Sequence, residues 1–276
     1  MRLIDSHGHL QAEAFAADVD EVIAAARLAG VERMLAPGWD PASSAASIAL
    51  AARFDVVDAS VGVHPHVAAE VDDGAWASLA ALAAGAGVVA VGETGLDYDR
   101  GFSPRPAQLT NLRRNLQLAL ETGKPAILHC RSRPGERDAQ DGLIAELRAA
   151  GIGGSAWHLA FGDRPPALLH SFSGPVDYAE AALEMGLAIS FGGLVFRAGE
   201  EASAVVAHLV PDERLLVETD SPYLSPPGAP RRRNEPRWVE VTARWLADRR
   251  GVLPEVLGER LVANYDAIFR GALPAS

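Results

Sequence analysis

Eight short apolar runs, each typical of a β-strand, alternate with helix-forming segments along the chain. The predicted strands cover residues 2–5, 31–36, 56–63, 88–92, 125–129, 167–171, 187–191 and 214–219. Strands that alternate with helices form βαβ units, and such units build parallel sheets. Eight units predict an α/β protein with a closed (β/α)8 TIM barrel, and 276 residues fit a single domain over 1–276.

Helices are predicted in the intervals between the strands. Between residues 107 and 122, leucines recur at spacings of three, four and four, which places them on one apolar stripe. Further helices are predicted at 18–30, 141–151 and 177–186, from residue 235 onwards, and at 254–270. Segments 131–139 and 151–166 are predicted to be irregular, the second as a surface insertion, and a long loop at 225–233 is expected on the ligand side.

A doubly wound open sheet is the alternative fold for alternating strands and helices. Such a sheet usually carries a glycine-rich phosphate loop directly after its first strand. This chain has His7-Gly8-His9 at that place instead, so the sequence favours the barrel.

The bulk properties of the chain argue against some classes of protein. No apolar run approaches the roughly 20 residues that span a bilayer, and the first residues lack a signal-peptide pattern, so we expect a cytoplasmic protein. A net charge of −11 argues against a protein that coats duplex DNA. It still allows an enzyme with one metal-loaded cleft, because bound cations reverse the local charge. The single cysteine, Cys130, is expected to be buried and inert.

Residues that commonly bind metal ions follow the predicted strands at their carboxyl ends. They are His7, His9, Glu93, His129, His170 and Asp220. The carboxyl ends of the strands surround one mouth of a parallel barrel, so we expect these side chains to form one site. Imidazoles mixed with carboxylates predict a metal site with more than one divalent ion. Histidines favour Zn²⁺ or Mn²⁺ and carboxylates allow Mg²⁺, so the pattern leaves the metal open.

The first histidine pair and the acid of the fourth strand have distinct expected roles. His7 and His9 are two residues apart on an extended segment, so both imidazoles face the same way and can chelate one ion. Glu93 can bridge two ions. Asp5 is open between orienting an imidazole and being an ordinary polar residue at a strand end.

The later strands supply the remaining candidate ligands. His129 and His170 end successive strands and should lie close together, which suits a second ion. Asp220 ends the last strand, where it can bind metal and hold the attacking water as a general base.

Other polar residues near the strand ends are candidates for binding substrate. We expect His64 to contact the phosphate or the leaving group, whereas His66 is open between substrate binding and a structural role. Arg131 and Arg133 can donate to phosphate oxygens, with solvated loop positions as the equal alternative. For Asp97 we favour stabilisation of its loop over contact with a metal ligand.

Seven motifs, in this order, resemble the TatD-type metal-dependent hydrolases. They are Asp5-Ser6-His7-Gly8-His9-Leu10, Gly62-Val63-His64-Pro65-His66, Gly92-Glu93-Thr94-Gly95-Leu96-Asp97-Tyr98, His129, His170-Ser171-Phe172-Ser173-Gly174, Glu218-Thr219-Asp220-Ser221-Pro222-Tyr223-Leu224 and Arg233-Asn234-Glu235-Pro236. The combination covers almost the whole chain and is far more specific than any one motif. The resemblance implies a TIM barrel of the amidohydrolase-like group, a site for one to three metals, and deoxyribonuclease activity that is often 3′→5′ exonucleolytic.

The resemblance also implies how the ligands divide between the ions. One ion would be held by His7, His9, Glu93 and Asp220. The other would be held by Glu93, His129 and His170, and His64 would face the substrate phosphate. The chain departs from the family pattern in two places: the stretch between the fifth and sixth strand ends is longer than expected, and Ser171 stands where the family often has Cys.

The hypothesis is hydrolysis of phosphodiester bonds at the end of single-stranded DNA, with a water activated by two divalent ions. Exposed aromatic side chains are expected to stack on bases, and Phe102, Trp157 and Phe196 are the candidates. The segment Arg231-Arg232-Arg233 is open between contact with a nucleic-acid backbone and a solvated loop. We expect a monomer or a weak homo-oligomer.

Two other functions compete with the nuclease. An amidohydrolase or lactonase could use similar ligands on a small molecule, but such enzymes commonly bridge their metals with a carboxylated lysine. Lys124, the only lysine in the chain, is poorly placed for that. A non-catalytic scaffold that binds metal or nucleic acid is the second alternative, and the complete set of ligand types argues against it.

Overall fold

Eight parallel strands form one sheet in strict chain order within residues 1–85 and 87–271, the part of the chain that the computed structural model describes. The strands are β1 (Leu3–Asp5), β2 (Val31–Pro37), β3 (Val57–Val61), β4 (Val88–Asp97), β5 (Ala126–Arg131), β6 (Ala167–Leu169), β7 (Ala188–Phe191) and β8 (Leu215–Val217). Each strand pairs in parallel with the one before it. All eight predicted strands are therefore confirmed.

Hydrogen bonds between the two ends of the sheet close it into a barrel. The backbone N–H of Ser6 donates to the carbonyl oxygen of Val217 at 3.0 Å. The Ser6 hydroxyl donates to the same oxygen at 2.9 Å, and its Oγ lies 2.9 Å from that of Ser190 in β7. Just beyond the strands, the N–H of Asp220 donates to the carbonyl of His7 at 2.9 Å. The predicted TIM barrel is confirmed, and the doubly wound alternative is wrong.

Helices fill the intervals between the strands, as predicted. They are α1 (Val19–Leu28), α2 (Pro41–Arg53), α3 (Asp73–Leu82), α4 (Arg105–Thr122), α5 (Asp138–Ala149), α6 (Ser155–Phe161), α7 (Val176–Glu184), α8 (Ala202–Leu209), α9 (Val239–Arg250) and α10 (Pro254–Tyr265). A π-helical turn continues α10 to Arg270. Among the described residues, none of the helices combines the length and the apolar character that spanning a bilayer requires.

The prediction of an irregular surface insertion at 151–166 is wrong in part, because α6 lies within it. Trp157 and Phe161 of α6 are buried with their ring centroids 5.5 Å apart, and α6 contacts α4. The indole N–H of Trp157 donates to the carbonyl of Ala150 at 2.9 Å. The helix is only seven residues long and is bordered by glycines and prolines, which masked its periodicity. The other irregular segment, predicted at 131–139, is confined to 132–137.

Helix α4 carries a buried polar face beside the predicted leucine stripe. Leu112 and Leu116 are buried as expected, and so are Gln108, Asn111 and Asn115. The side-chain oxygen of Gln108 accepts from the backbone N–H of Asp97 at 2.8 Å, and its NH2 group donates to the backbone carbonyl of Asp97 at 3.0 Å. The amide of Asn111 donates to the carbonyl of Val63 at 2.6 Å. This helix therefore fixes the backbone at the carboxyl ends of β3 and β4.

Gly95 allows β4 and β5 to approach each other beside His129. The two residues are partners in the strand register, and Gly95 has a φ of +141°. A Cβ atom on Gly95 would lie 1.9 Å from the carbonyl oxygen of His129. A larger residue would have to push the two strand ends apart.

We expect Gly95→Ala to lower the free energy of unfolding by about 2 kcal/mol or more, because it adds both a clash and an unfavourable φ. The matched control is Gly74→Ala in α3, where a Cβ atom meets nothing closer than 3.5 Å. That change should leave stability unchanged or raise it by up to about 1 kcal/mol, because alanine favours helix. Denaturant unfolding curves measure both. Equal stability of the two variants would contradict the packing argument.

Candidate active site

The carboxylate of Glu93 lies at the centre of the barrel mouth and is only 3% exposed. Its two oxygens face different groups of imidazoles. Oε2 lies 3.3 Å from Nε2 of His7 and 3.7 Å from Nε2 of His9. Oε1 lies 3.2 Å from Nε2 of His64, 3.1 Å from Nδ1 of His129 and 3.0 Å from Nε2 of His170. Five of the eight histidines of the chain therefore surround one buried acid.

A second carboxylate, Asp220, stands beside the first histidine pair. Its Oδ1 lies 3.2 Å from Nε2 of His9 and 3.9 Å from Nε2 of His7. Asp220 has a φ of +53°, a conformation that aspartate tolerates better than most residues. Its N–H donates to the His7 carbonyl, and its own carbonyl accepts from the N–H of Tyr223 at 2.9 Å. The backbone is thus held so that the side chain faces the histidines.

All six predicted metal ligands meet at this mouth. Together with His64 these residues form three groups, and within each group the potential ligand atoms lie within 4.8 Å of one another. The groups are His7 with His9 and Asp220, His7 with Glu93 and His170, and His64 with Glu93 and His129. The sequence placed His64 with the substrate, whereas the structure also brings it within reach of Glu93. The position of His64 is therefore compatible with two roles, binding a metal ion and contacting the substrate.

The donor atoms fit a divalent metal. Both ring nitrogens of His7 and Nδ1 of His9 are buried without a hydrogen-bond partner among the described residues. A buried polar atom without a partner costs about 1–3 kcal/mol, and a metal ion would satisfy imidazole nitrogens of this kind. Mixed imidazole and carboxylate donors suit Zn²⁺ and Mn²⁺, and the carboxylates also accept Mg²⁺.

The protonation states of the two acids favour cation binding. Burial by itself would raise the pKa of Glu93, but the imidazoles of His64, His170 and His7 hold it well below its usual range. Burial likewise opposes ionisation of Asp220, and the hydrogen bond from His9 lowers its pKa nevertheless. Both carboxylates are therefore ionised at neutral pH.

Burial and neighbouring charge act in opposite directions on the histidines. Burial lowers the pKa of His64 to about 4 and also lowers the pKa of His7, so both rings are neutral at pH 7. Burial opposes protonation of His170 too, yet Glu93 and Glu218 raise its pKa well above the usual range. Two carboxylates therefore stabilise positive charge at this ring, as they would stabilise a cation beside it.

His129 and His170 lie at the ends of β5 and β6 and face Oε1 of Glu93. The other ring nitrogen of each histidine contacts a second buried carboxylate. Nδ1 of His170 lies 3.2 Å from Oε1 of Glu218, which is fully buried. Nε2 of His129 lies 3.1 Å from Oδ2 of Asp97. An acid that accepts from one ring nitrogen fixes the tautomer and directs the other nitrogen to the metal. Sequence reasoning assigned no role to Glu218, although a charged residue in an apolar strand was a signal for one.

Asp97 does more than the sequence predicted. Its Oδ1 accepts from the backbone N–H groups of Asp99 at 3.1 Å and Arg100 at 2.9 Å, which confirms the predicted support of the loop. Its Oδ2 also contacts His129 and lies 2.8 Å from Nε2 of His66. His66 is therefore tied to a buried acid.

Asp5 contacts backbone and hydroxyl groups and has no imidazole partner among the described residues. It accepts from the N–H of Thr219 at 2.9 Å and from the N–H of His7 at 3.3 Å, and the Thr219 hydroxyl also donates to it. Burial raises the pKa of Asp5 to about 7. Its part is to join the ends of β1 and β8 below the site.

Several predicted peripheral residues lie at the site and others do not. The half-buried Arg131 has its NH1 3.7 Å from Oδ2 of Asp97, and the exposed Arg133 lines the same cavity. Cys130 is partly buried against the core and also lines this cavity, so the prediction that it is buried is only partly right. Desolvation of the thiol by its neighbours raises its pKa to about 12, in keeping with the predicted inertness.

The remaining candidates are exposed or are used in packing. Arg233 pairs with Asp18 at 2.6 Å, so this member of the arginine run is structural, whereas Arg231 and Arg232 are exposed. Of the predicted stacking residues, Trp157 is buried in α6, which contradicts that prediction. Phe196 is partly buried with its ring centroid 6.4 Å from that of Trp245, and Phe102 is exposed.

A cavity of about 1130 Å³ connects the candidate metal ligands to solvent. Its floor includes the side chains of Glu93 and Asp220, and one wall carries Arg100, Arg131 and Arg133. The site is therefore accessible to a large ligand, and arginines face the approach to it.

The barrel, with imidazoles and ionised carboxylates at the carboxyl ends of its strands, defines a metal-dependent hydrolase. A family model described as TatD related DNase matches residues 4–270. The chain belongs to this family, which confirms the resemblance seen in the sequence.

Curated and solved relatives agree with this assignment. The chain is 36% identical to the "3'-5' ssDNA/RNA exonuclease TatD" of Erwinia billingiae over 99% of this chain and 100% of the relative. It is 32% identical to the uncharacterized metal-dependent hydrolase YabD of Bacillus subtilis over 97% and 99% of the two chains. The crystal structure of YjjV, a TatD homologue from Escherichia coli K12, superposes with a TM-score of 0.84 at 26% identity, covering 98% of each chain.

If Glu93 is a direct ligand, Glu93→Gln should weaken metal binding more than about a hundredfold, because that loss exceeds the 10–100-fold cost of losing an outer partner. Calorimetric titration with Mn²⁺ and elemental analysis of the purified protein measure the effect. Glu121→Gln, on the exposed side of α4, is the matched control and should bind metal as the wild type does. Wild-type metal content in Glu93→Gln would contradict the site.

Glu218→Gln should lower metal affinity by about 10–100-fold while the fold persists, because an amide accepts from Nδ1 of His170 more weakly than a carboxylate. Glu218→Asp should recover part of the affinity. The check is Mn²⁺ titration together with thermal unfolding of the metal-free proteins. Unchanged affinity in a folded Glu218→Gln variant would show that Glu218 only fills space.

Proposed function

We propose that this TatD-family hydrolase is a nuclease that removes nucleotides from the 3′ end of single-stranded DNA with two divalent ions. The single observation that carries the proposal is the arrangement around Glu93, whose two oxygens face separate groups of imidazoles. A carboxylate placed in this way suits two cations at once. The names of the curated relatives support nucleic acid as the substrate.

We assign the ligands of the two ions from this division. The first ion would be held by His7, His9, Glu93 and Asp220, and the second by Glu93, His129 and His170. When bound, the ions would supply a nucleophile at neutral pH and positive charge to stabilise the phosphodiester transition state. We also propose that residues 1–276 form one catalytic domain, since every strand end that supplies a ligand belongs to one barrel.

Asp220 is the proposed general base. Its carboxylate is ionised, lies at the mouth of the barrel, and lines the cavity through which substrate and water enter. It is therefore placed to accept a proton from the attacking water. The hydrogen bond to His9 and the fixed backbone hold the acceptor oxygens in place.

His64 is proposed to donate a hydrogen bond to the substrate phosphate or the leaving group. Its Nδ1 accepts from the backbone N–H of His66 at 3.1 Å. The ring is neutral at pH 7, so its one proton resides on Nε2, which faces the centre of the site. A nitrogen that carries a proton donates to a phosphate oxygen and does not bind a metal ion, which favours the substrate role.

The arginines on the cavity wall fit an anionic polymer. Arg131 and Arg133 would contact the phosphates of the bound strand, although the chain as a whole carries a net charge of −11. The cavity of about 1130 Å³ exceeds the usual 300–1,000 Å³ range of small-molecule pockets. Both features favour a strand over a small substrate.

The arrangement gives little support to the amidohydrolase or lactonase alternative with a carboxylated lysine. Lys124 lies before β5, at the amino-terminal end of the barrel, and its Nζ donates to the carbonyl of Ala83. Glu93 occupies the central position where that lysine would be required.

Digestion of a 5′-labelled single-stranded oligonucleotide with Mg²⁺, Mn²⁺ or Zn²⁺ tests the proposal. We expect a ladder that shortens from the 3′ end, disappears with EDTA, and stops at a 3′-terminal phosphorothioate linkage. Asp220→Asn should reduce the rate by about a hundredfold or more, while Asp248→Asn, on the exposed side of α9, should not. The same assay with RNA of equal sequence compares the two substrates. Failure of folded, metal-loaded wild type to cut any of them would overturn the nuclease.

A further inference from the structure

Two aromatic side chains of the chain are highly exposed, and each packs against a histidine that lines the cavity. The chain has five tryptophans, four tyrosines and eight phenylalanines, all of them among the described residues. Phe102 is 69% exposed and Tyr223 is 58% exposed, while the other aromatic side chains are buried or partly buried.

The two rings flank Glu93, one beside each group of histidines. The Phe102 ring packs edge-on against His66, with centroids 4.8 Å apart. The Tyr223 ring packs edge-on against His9 at 5.7 Å. His9 faces Oε2 of Glu93. His66 contacts His64, with ring centroids 4.2 Å apart, and His64 in turn faces Oε1 of Glu93. Each ring therefore adjoins a different side of the histidine cluster around Glu93.

The backbone holds each ring in place from segments that also build the site. The Ser103 hydroxyl donates to the carbonyl of His66 at 2.8 Å, which ties the Phe102 loop to the end of β3. The N–H of Tyr223 donates to the carbonyl of Asp220, and the amide of Asn234 donates to the carbonyl of Tyr223 at 2.8 Å. The rings are thus preorganised relative to the catalytic groups, although their faces are open to solvent.

We propose that Phe102 and Tyr223 are stacking platforms for two nucleobases, one on each side of the scissile phosphate. The inference rests on the proposed nuclease function and adds how the substrate is selected. Every base has a π-face, so stacking on such rings is tolerant of sequence. A base inside a duplex is already stacked and cannot lie on a protein ring without leaving its partner, so the two platforms select single strands.

Binding and kinetics of Phe102→Ala and Tyr223→Ala test the platforms. The probe is a single-stranded oligonucleotide with 2-aminopurine at one defined position near the 3′ end, titrated in EDTA so that no cleavage occurs. We expect wild type to quench the fluorescence at two positions, and each variant to lose the quenching at one of them. In metal, each variant should raise KM about tenfold with a much smaller change in kcat. Tyr223→Phe keeps the aromatic ring and should retain the quenching that Tyr223→Ala loses.

An abasic oligonucleotide and a distant variant separate stacking from general damage. Removing the base at the affected position should make variant and wild type equal in KM. Leu159→Ala changes an apolar side chain that is 90% exposed on α6 and should change neither readout. Wild-type cleavage with unchanged KM and quenching in both aromatic variants would overturn the platforms and leave the nuclease standing. Wild type that neither binds nor cuts the oligonucleotide would overturn the nuclease and the platforms together.

Discussion

Glu93 places a negative charge inside the mouth of the barrel, where an unpaired charge would be severely destabilising. The surrounding imidazoles make that charge tolerable, and the same acid keeps the imidazoles turned inward. Neither partner would be stable there alone. The polar centre therefore requires β1, β3, β4, β5 and β6 to end at the same height, and the buried amides of α4 hold two of those ends in position.

The outer carboxylates extend this arrangement by one layer. Glu218 and Asp97 are buried behind two histidines, and Asp5 joins the strand ends beneath them. Carboxylates thus surround the imidazoles, and their negative charge favours the binding of cations at the mouth of the barrel. An anionic substrate would then meet arginines on the wall and metal charge on the floor, in a protein whose overall charge is strongly negative.

Much of the fold and of the candidate site could be predicted from the sequence, for two physical reasons. Apolar runs of strand length locate the strands, and a parallel barrel brings their carboxyl ends together, so the convergence of His7, Glu93 and Asp220 followed from position alone. The rest depends on contacts between distant residues. Nothing local indicates that Asp5 pairs with Thr219, or that Glu218 faces His170. Helix α6 escaped prediction because glycines and prolines border seven residues that bury Trp157 by tertiary packing.

The closure of β8 onto β1 has a consequence for when the site comes into existence. His7 and His9 are made well before Asp220, which follows the last strand, and a backbone hydrogen bond joins Asp220 to His7. A nascent chain that has not yet released β8 from the ribosome holds an incomplete set of ligands. The candidate site is therefore completed at the seam of the barrel only once β8 is in place, and a chain truncated before β8 would carry the histidines without Asp220.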